Sequence, residues 1–241
     1  MNILAIGAHG DDIEVQCGGT LAKAAARGDQ TFMCVVTDGR GRPKGDPDPI
    51  AEVRRQESQA SADVIGAELK WLAIPDGELK PTDEYTSRFV NVIRETKPDI
   101  IITHPADDYH PDHRYTHQMV LDAAQLARVR NYPHSDLEPY RERCPIAFMD
   151  GVMGMSFIPE QWVDITEYFD TKAAMLNKHL SQMMPDTYEP DFTPPPPEEN
   201  PFMRMITTQS TFRGMQCGAR YAEAFYFWKS MNRIVPYRIL P

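Results

Sequence analysis

Short apolar runs separated by helix-like segments constrain the fold of this chain more than any other feature. Residues 2–8, 31–37, 69–74 and 100–103 form four such runs. The run over residues 100–103 is continuous, which is typical of a parallel strand that is buried on both faces. Helical spacing is present between and after these runs, over residues 20–27, 49–66, 86–96 and 112–128. Because strands that alternate with helices join through crossovers, we predict an α/β fold with a mostly parallel sheet flanked by helices.

The last third of the chain has a less regular pattern. Two short apolar runs predict strands and two periodic segments predict helices, over residues 146–149, 162–165, 171–183 and 219–228 respectively. Residues 185–201 are rich in proline, which excludes a helix or a central strand, so we predict an extended loop there. This loop and the aromatic side chains of the final helix suggest subunit contacts, and we expect a homo-oligomer.

Length and composition limit the class of protein. A chain of 241 residues suits one α/β domain, and we predict a single domain over residues 1–241. The net charge of -10 and the absence of a basic run argue against nucleic acid and anionic membranes as partners. The four cysteines are scattered, and no secretory signal precedes the first strand. We therefore expect a protein of the cytoplasm, where thiols stay reduced.

Histidine and aspartate side chains cluster directly after the first apolar run and again soon after the fourth. His9, Asp11 and Asp12 form the first cluster, and residues 110–113, His-Pro-Asp-His, form the second. Ligands collect beyond the carboxyl ends of the strands in open α/β sheets, so both clusters should open into the same crevice. Hydrolytic zinc sites use three protein ligands of the imidazole and carboxylate types and leave a fourth position for water.

We predict that His9, Asp12 and His113 bind one Zn²⁺ ion per chain. Asp11 is then free to take a proton from the activated water. The same ligand set also suits ferrous iron, so the sequence prefers zinc by ligand type alone. His104 ends the fourth run and should point into the same crevice, where we expect it to contact substrate.

The residues of the two clusters resemble the paired signature of a known family. Residues 8–14, Ala-His-Gly-Asp-Asp-Ile-Glu, together with residues 110–113, resemble the LmbE-like, or PIG-L, zinc-dependent N-deacetylases. Further similar positions are Arg54 to Glu57, Lys172, His179 to Gln182 and Tyr221 to Phe225. The family usually has proline after the first histidine, where this chain has Gly10.

The resemblance implies a Rossmann-like sheet, one zinc ion and hydrolysis of the N-acetyl group of an amino sugar. The substrate would be a small N-acetylated sugar or glycoside. His110 would stabilise the oxyanion or protonate the departing amine, in its protonated form, and Asp112 would orient an imidazole. Arg54 resembles an arginine that contacts substrate, although the neighbouring Arg55 is the alternative.

Three alternatives remain open at this point. His117 lies one helical turn beyond His113 and is an alternative metal ligand. A metal-dependent hydratase of an unsaturated carboxylic acid could use the same site, with Arg40, Arg42 and Lys44 holding the substrate carboxylates. A metal-binding protein without catalysis ranks last, because structural zinc sites usually have four protein ligands that are rich in cysteine.

Overall fold

Seven strands form one mixed sheet in the part of the chain that the computed structural model describes, which is residues 1–41, 47–154, 156–183, 200–230 and 233. They are β1 (Asn2–Gly7), β2 (Gln30–Thr37), β3 (Glu68–Ile74), β4 (Ile100–Thr103), β5 (Ile146–Met149), β6 (Gln161–Asp164) and β7 (Ala222–Phe227). Their order across the sheet is β3-β2-β1-β4-β5-β7-β6. Strands β1 to β5 pair in parallel, whereas β7 is antiparallel to β5 and β6. The predicted, mostly parallel sheet is confirmed.

Helices flank the sheet and complete a single α/β domain. They are α1 (Asp12–Ala26), α2 (Pro47–Ile65), α3 (Asp83–Thr96), α4 (Pro111–Leu126), α5 (Phe169–Leu176), α6 (Leu180–Met183) and α7 (Pro201–Cys217). Within the described residues, no helix combines the length and the apolar character that crossing a membrane would require.

The central strand β1 contributes side chains to the core on both faces of the sheet. Leu4 and Ile6 pack in the apolar cluster that also contains residues of α3 and α4. Ile3 and Ala5 pack in a second cluster on the other face, with residues of α1. Burial of each Leu or Ile side chain stabilises the fold by about 1.5–3 kcal/mol, which explains why this strand has no polar face.

The first helix begins earlier than the sequence pattern predicts. The pattern places its start at residue 20, after Gly18 and Gly19, but α1 starts at Asp12 and runs through both glycines. A Cβ atom at Gly19 would lie 2.7 Å from Cδ1 of Ile165, so glycine here permits close packing of the helix. The two glycines therefore reflect a tertiary contact and not a helix boundary.

The predicted helix over residues 219–228 is wrong. Residues 222–227 form β7, which lies between β5 and β6 and hydrogen-bonds to both. The aromatic and alanine residues of this segment suit either a buried helix or a buried strand, and strand pairing decides between them. The predicted helix over 171–183 is divided into α5 and α6, and α7 was not predicted. Of the proline-rich segment 185–201, residues 185–199 lie outside the described part of the chain. Pro201 does not belong to a loop as predicted, because it is the first residue of α7, a position at which proline is tolerated.

The neighbouring strands β1 and β4 position the two predicted clusters. From β1 the chain builds the sheet outward through β2 and β3, and it then returns to place β4 on the other side of β1. The carboxyl ends of β1 and β4 lie side by side at the same edge of the sheet, because Ile6 pairs with Thr103. This reversal of strand order is the place where α/β sheets bind ligands. The start of α1 and the loop between β4 and α4 meet there.

Candidate metal centre

The donor atoms of the three predicted ligands converge. His9 Nδ1 lies 3.2 Å from His113 Nε2 and 3.4 Å from Asp12 Oδ2, and His113 Nε2 lies 3.2 Å from Asp12 Oδ1. Tetrahedral ligands that bind zinc at about 2.0–2.1 Å are about 3.3 Å apart. Each imidazole lies at this spacing from one oxygen of Asp12, so these three residues could hold one divalent ion. Other groups of donor atoms that could hold a metal ion share these residues, namely His9 with His110 and His113, Asp12 with His104 and His113, and His9 with Asp76 and Asp112.

Carboxylates contact the ring nitrogen of each imidazole that points away from the predicted metal position. Asp108 Oδ1 lies 2.9 Å from Nδ1 of His113, while Asp76 Oδ1 and Asp112 Oδ2 lie 3.2 and 3.5 Å from Nε2 of His9. Carboxylates accept hydrogen bonds, so these ring nitrogens donate and the opposite nitrogens keep their lone pairs for the ligand position. Such outer partners orient metal-binding histidines in proteins. Asp112 lies where a residue that orients an imidazole should be.

Sequence reasoning missed Asp76 and Asp108. Asp76 comes two residues after β3 ends, so the rule that located the other clusters at strand ends would have found it. Asp108 precedes the second cluster within the loop between β4 and α4. Only the folded loop shows that it contacts His113, because four residues lie between them in the chain.

Negative charge around the ligands favours a cation. Burial acts to lower the pKa of His113, but Asp12 and Asp108 outweigh it and raise that pKa to about 9. The pKa of His9 is also raised above its ordinary value, because Asp112, Asp12 and Asp76 together outweigh its burial. A proton and a divalent ion compete for the same ring nitrogens, so a potential that stabilises one also stabilises the other.

Asp11 has the surroundings of a general base. It precedes the first residue of α1 and lines the cavity in front of the ligands, and its carboxylate does not cap the helix. No residue in the described part of the chain donates a hydrogen bond to this carboxylate. Burial and the adjacent Asp12 charge raise the pKa of Asp11, so its carboxylate has an increased affinity for a proton.

His104 occupies a different place from the one predicted. It is only 2% exposed, it stacks on His113 at 4.1 Å, and it is absent from the described cavity lining. Its Nε2 lies 3.2 Å from Asp12 Oδ2 and accepts a hydrogen bond from the backbone N–H of Ala8 at 3.0 Å. This hydrogen bond occupies the lone pair that a metal ion would need. Burial lowers its pKa to about 4. A neutral ring below the ligands does not suit the expected contact with substrate.

His117 does not point to the ligand position. Its Nδ1 donates a hydrogen bond to the carbonyl oxygen of His104 at 2.9 Å, and its ring packs against Phe148. The alternative in which His117 binds the metal is therefore not supported by the geometry.

The two neighbouring arginines of α2 face in opposite directions. Arg54 is 6% exposed, lines the cavity and donates a hydrogen bond to the carbonyl oxygen of Gly39. Arg55 lies at the surface and pairs with Glu52 at 2.7 Å. The guanidinium group that can reach a substrate is that of Arg54.

His110 caps the start of α4 and lines the cavity. Its Nδ1 accepts the backbone N–H of Asp112 at 3.2 Å, so in the neutral ring the hydrogen is on Nε2. Burial and the nearby rings of His9 and His113 lower the pKa of His110. The protonated form expected from the sequence is therefore disfavoured, whereas a neutral Nε2–H donor remains.

The family-like residues of the C-terminal region form buried polar pairs within the chain. Lys172 Nζ lies 2.6 Å from Glu223, and Glu223 also accepts two backbone N–H groups of α1. His179 Nε2 lies 2.9 Å from Glu14, and Ser181 donates to Glu57. These side chains connect α1, α2, α5, α6 and β7 within one chain.

The cavity in front of the ligands has a volume of about 360 Å³. Its described lining consists of His9, Asp11, Asp12, Val15, Arg54, Asp76, Tyr109, His110, His113, Val152, Gln182, Phe202 and Met205. Arg40, one of the three basic residues expected to hold carboxylates, pairs with Asp38. Arg42 and Lys44 lie outside the described residues.

Comparisons with known proteins point to one family. The family model described as PIG-L, GlcNAc-PI de-N-acetylase, matches residues 4–124. A diacetylchitobiose deacetylase from Thermococcus kodakarensis is 29% identical over 238 residues, which cover 93% of this chain and 82% of the relative.

Two further relatives show the range of the similarity. The solved structure of N,N'-diacetylchitobiose deacetylase from Pyrococcus horikoshii has a TM-score of 0.79 and 25% identity, and it covers 94% of this chain and 83% of that one. A 4-oxalmesaconate hydratase from Pseudomonas putida is 24% identical over 193 residues, which cover 72% of this chain and 70% of the relative.

Proposed function

Because this chain belongs to the PIG-L, or LmbE-like, family, we propose that it is a zinc-dependent hydrolase that removes the N-acetyl group of an amino sugar or its glycoside. One observation carries the proposal. His9 Nδ1 and His113 Nε2 lie 3.2 Å apart and each lies within 3.4 Å of one oxygen of Asp12, and the Asp11 carboxylate, to which no described residue donates a hydrogen bond, lines the same cavity. This arrangement provides a ligand set and a base in the same place.

The three predicted ligands, Asp11 and His110 would each act in a different part of amide hydrolysis. A zinc ion held by the three ligands would polarise the amide carbonyl and lower the pKa of a water molecule. Asp11 accepts a proton from the water that attacks the carbonyl carbon. His110, through its Nε2–H, donates a hydrogen bond to the carbonyl oxygen as negative charge develops there. Asp11 then returns the proton to the amide nitrogen and the C–N bond breaks. The acetic acid formed passes its remaining hydroxyl proton to the amine, so acetate and a protonated primary amine leave.

The polar residues on one side of the cavity suit the hydroxyl groups of a sugar. Arg54 offers N–H donors, and Asp76 offers carboxylate oxygens that accept hydrogen bonds. Together they provide donors and acceptors for neighbouring hydroxyls. We assign the sugar ring to this side.

A hydratase is the second candidate, because the 4-oxalmesaconate hydratase of Pseudomonas putida is a relative. An unsaturated acid with several carboxylates needs cationic partners. Among the described lining residues Arg54 is the only lysine or arginine, and the negative charges of Asp76 and Asp11, which also line the cavity, act on it. These charges disfavour a polyanion, so the geometry supports deacetylation better.

The test is to measure both products with the purified zinc-loaded protein. N-acetylglucosamine, N,N'-diacetylchitobiose and an unsaturated dicarboxylic acid are supplied separately. We expect acetate and a primary amine in equal amounts from an amino sugar, and zinc at one ion per chain by elemental analysis. Loss of the ultraviolet absorbance of the unsaturated dicarboxylic acid, without release of an amine from either sugar, would indicate the hydratase instead. No product from any of the three would contradict both activities.

A further inference from the structure

One wall of the cavity is apolar. Val15 of α1, Val152 of the turn after β5, and Phe202 and Met205 of α7 form it, and we call these four residues the apolar wall. Val15, Phe202 and Met205 belong to one apolar cluster that contains none of the polar lining residues Arg54, Asp76 and the imidazoles. The cavity therefore has a polar part and an apolar part, which suits a substrate with the same division.

The apolar wall begins beside the reacting groups. Val15 is four residues after Asp11, and residues at this spacing are neighbours on the surface of a helix. Both side chains line the cavity. A group attached to the carbonyl carbon that water attacks near Asp11 can therefore reach Val15 directly.

Hydrogen bonds from one side chain hold the turn that carries Val152. Gln209 of α7 donates a hydrogen bond to the carbonyl oxygen of Gly151 at 3.0 Å and accepts the backbone N–H of Met153 at 3.2 Å. Met153 has a φ of 64°, in the left-handed region that residues other than glycine rarely adopt. Such conformations persist where the surroundings enforce them, often at ligand sites.

The start of α7 is held in a similar way. The Asn200 side chain accepts the backbone N–H groups of Phe202 and Met203, and Met203 and Ile206 are buried in an apolar cluster with residues of α1 and α5. Phe202 and Met205 are only partly buried and line the cavity. The wall is thus formed by side chains on fixed backbone, and not by a chance exposure of apolar residues.

The chemistry of the substrate identifies the occupant. In an N-acylated amino sugar the ring carries hydroxyls, which need polar partners, and the acyl group is the apolar part. A methyl group next to Val15 would leave Val152, Phe202 and Met205 uncovered. We propose that the apolar wall is an acyl-chain subsite, and that besides N-acetyl compounds the enzyme hydrolyses, with a higher kcat/KM, N-acyl amino sugars whose acyl group is longer than acetyl.

This inference rests on the proposed amidohydrolase function, and a series of substrates tests the two separately. The series consists of glucosamine that carries an N-acetyl, N-propionyl, N-butyryl or N-hexanoyl group. We expect kcat/KM to rise by about fourfold for each methylene that the wall covers. Hydrolysis of the acetyl compound with a fall along the series would overturn the subsite alone. No hydrolysis of any member would overturn both the subsite and the proposed function.

Two matched variants test whether the apolar wall causes the rise of kcat/KM along the acyl series. Met205→Ser removes an apolar side chain from the wall, and Met215→Ser removes the same side chain from an exposed position of the same helix, where Met215 is 78% exposed. We expect the gain along the series to disappear in Met205→Ser and to persist in Met215→Ser. Phe202→Ser repeats the test if Met205→Ser is unstable. Equal behaviour of the wall variants and Met215→Ser would overturn the assignment.

A second series distinguishes an acyl chain from an apolar aglycone. Methyl and phenyl glycosides of N-acetylglucosamine keep the acyl group constant and vary the other end of the substrate. We expect the ratio of their kcat/KM values to be the same in wild type and in Met205→Ser. A preference for the phenyl glycoside that Met205→Ser abolishes would place the aglycone on the wall and overturn the acyl assignment.

Discussion

The parallel part of the sheet and the C-terminal region contribute different things to one cavity. Strands β1 to β4 and the loops after them carry the ligands, their carboxylate partners and the base. The C-terminal region, from β6 to β7, contributes Phe202, Met205 and Gln182 to the lining and otherwise supports the cavity through buried pairs. The proposed chemistry thus lies at the ends of parallel strands, whereas the C-terminal region provides Phe202 and Met205 of the proposed acyl-chain subsite.

The two regions also differ in how their charged groups are placed. At the strand ends, charged side chains face the cavity. In the C-terminal region they pair away from it, as in Lys172–Glu223, and Arg213 with Asp150 at 2.6 Å. A buried charge is stable only when it is paired, so these pairs act as supports whose loss should affect folding before chemistry.

The largest effect should come from the base. Asp11→Asn removes the proton acceptor while His9, Asp12 and His113 remain, so we expect kcat to fall by about 10²- to 10⁴-fold at unchanged zinc content. Steady-state kinetics and elemental analysis measure the two quantities. Asp107→Asn, at an exposed position in the loop before α4, is the control. Full activity of Asp11→Asn would show that Asp11 is not the general base. The contrast drawn between the two regions would then be wrong.

A support of the C-terminal region should affect stability instead. Lys172→Met leaves the Glu223 charge buried without its partner, and we expect the free energy of unfolding to fall by about 3–5 kcal/mol. The double variant Lys172→Met with Glu223→Gln should recover much of this loss, because the neutral amide can still accept an N–H of α1. Urea unfolding measures both. An unchanged unfolding midpoint in Lys172→Met would show that the Lys172–Glu223 pair does not stabilise the fold.

The arginines of α2 provide a matched pair for substrate binding. We expect Arg54→Gln to raise KM for an amino sugar by about 10- to 100-fold, since hydrogen bonds to charged groups contribute about 1.5–3 kcal/mol. Arg55→Gln, at the surface, should leave KM unchanged and change stability little, because its contact with Glu52 is exposed to solvent. Similar KM values for the two variants would contradict the assignment of Arg54.

The smallest effect is a pH dependence of stability from His179. Burial acts to lower its pKa, but the charges of Glu14, Asp11 and Glu57 outweigh burial and raise it. The folded state therefore holds the proton more tightly than the unfolded state. This contribution is fully present below the ordinary pKa of about 6.5 and is lost as pH rises through the folded pKa.

Urea unfolding of wild type and His179→Gln across this range measures that contribution. We expect the difference between their free energies of unfolding to shrink as pH rises from 6 upward. A difference that grows with pH would show that His179 is neutral in the folded protein.

The sequence by itself determined the parallel strands and the residues that could act as ligands. The signal is local, because the run that ends at Gly7 is followed directly by His9, Asp11 and Asp12. A continuous apolar run predicts a strand buried on both faces, and polar residues directly after it must lie at the edge of the sheet. Neither inference needs to know what the segment contacts.

Only the tertiary structure decided which side chains support the site and what the C-terminal region forms. The burial of His104, the contact of Asp108 with His113 and the inward direction of Arg54 depend on how separate segments pack. Residues 222–227 have a local pattern that suits a helix or a strand, and their hydrogen bonds to β5 and β6 make them a strand. Pairing and burial across distant segments outweigh the small differences in local propensity, and a sequence pattern does not contain those contacts.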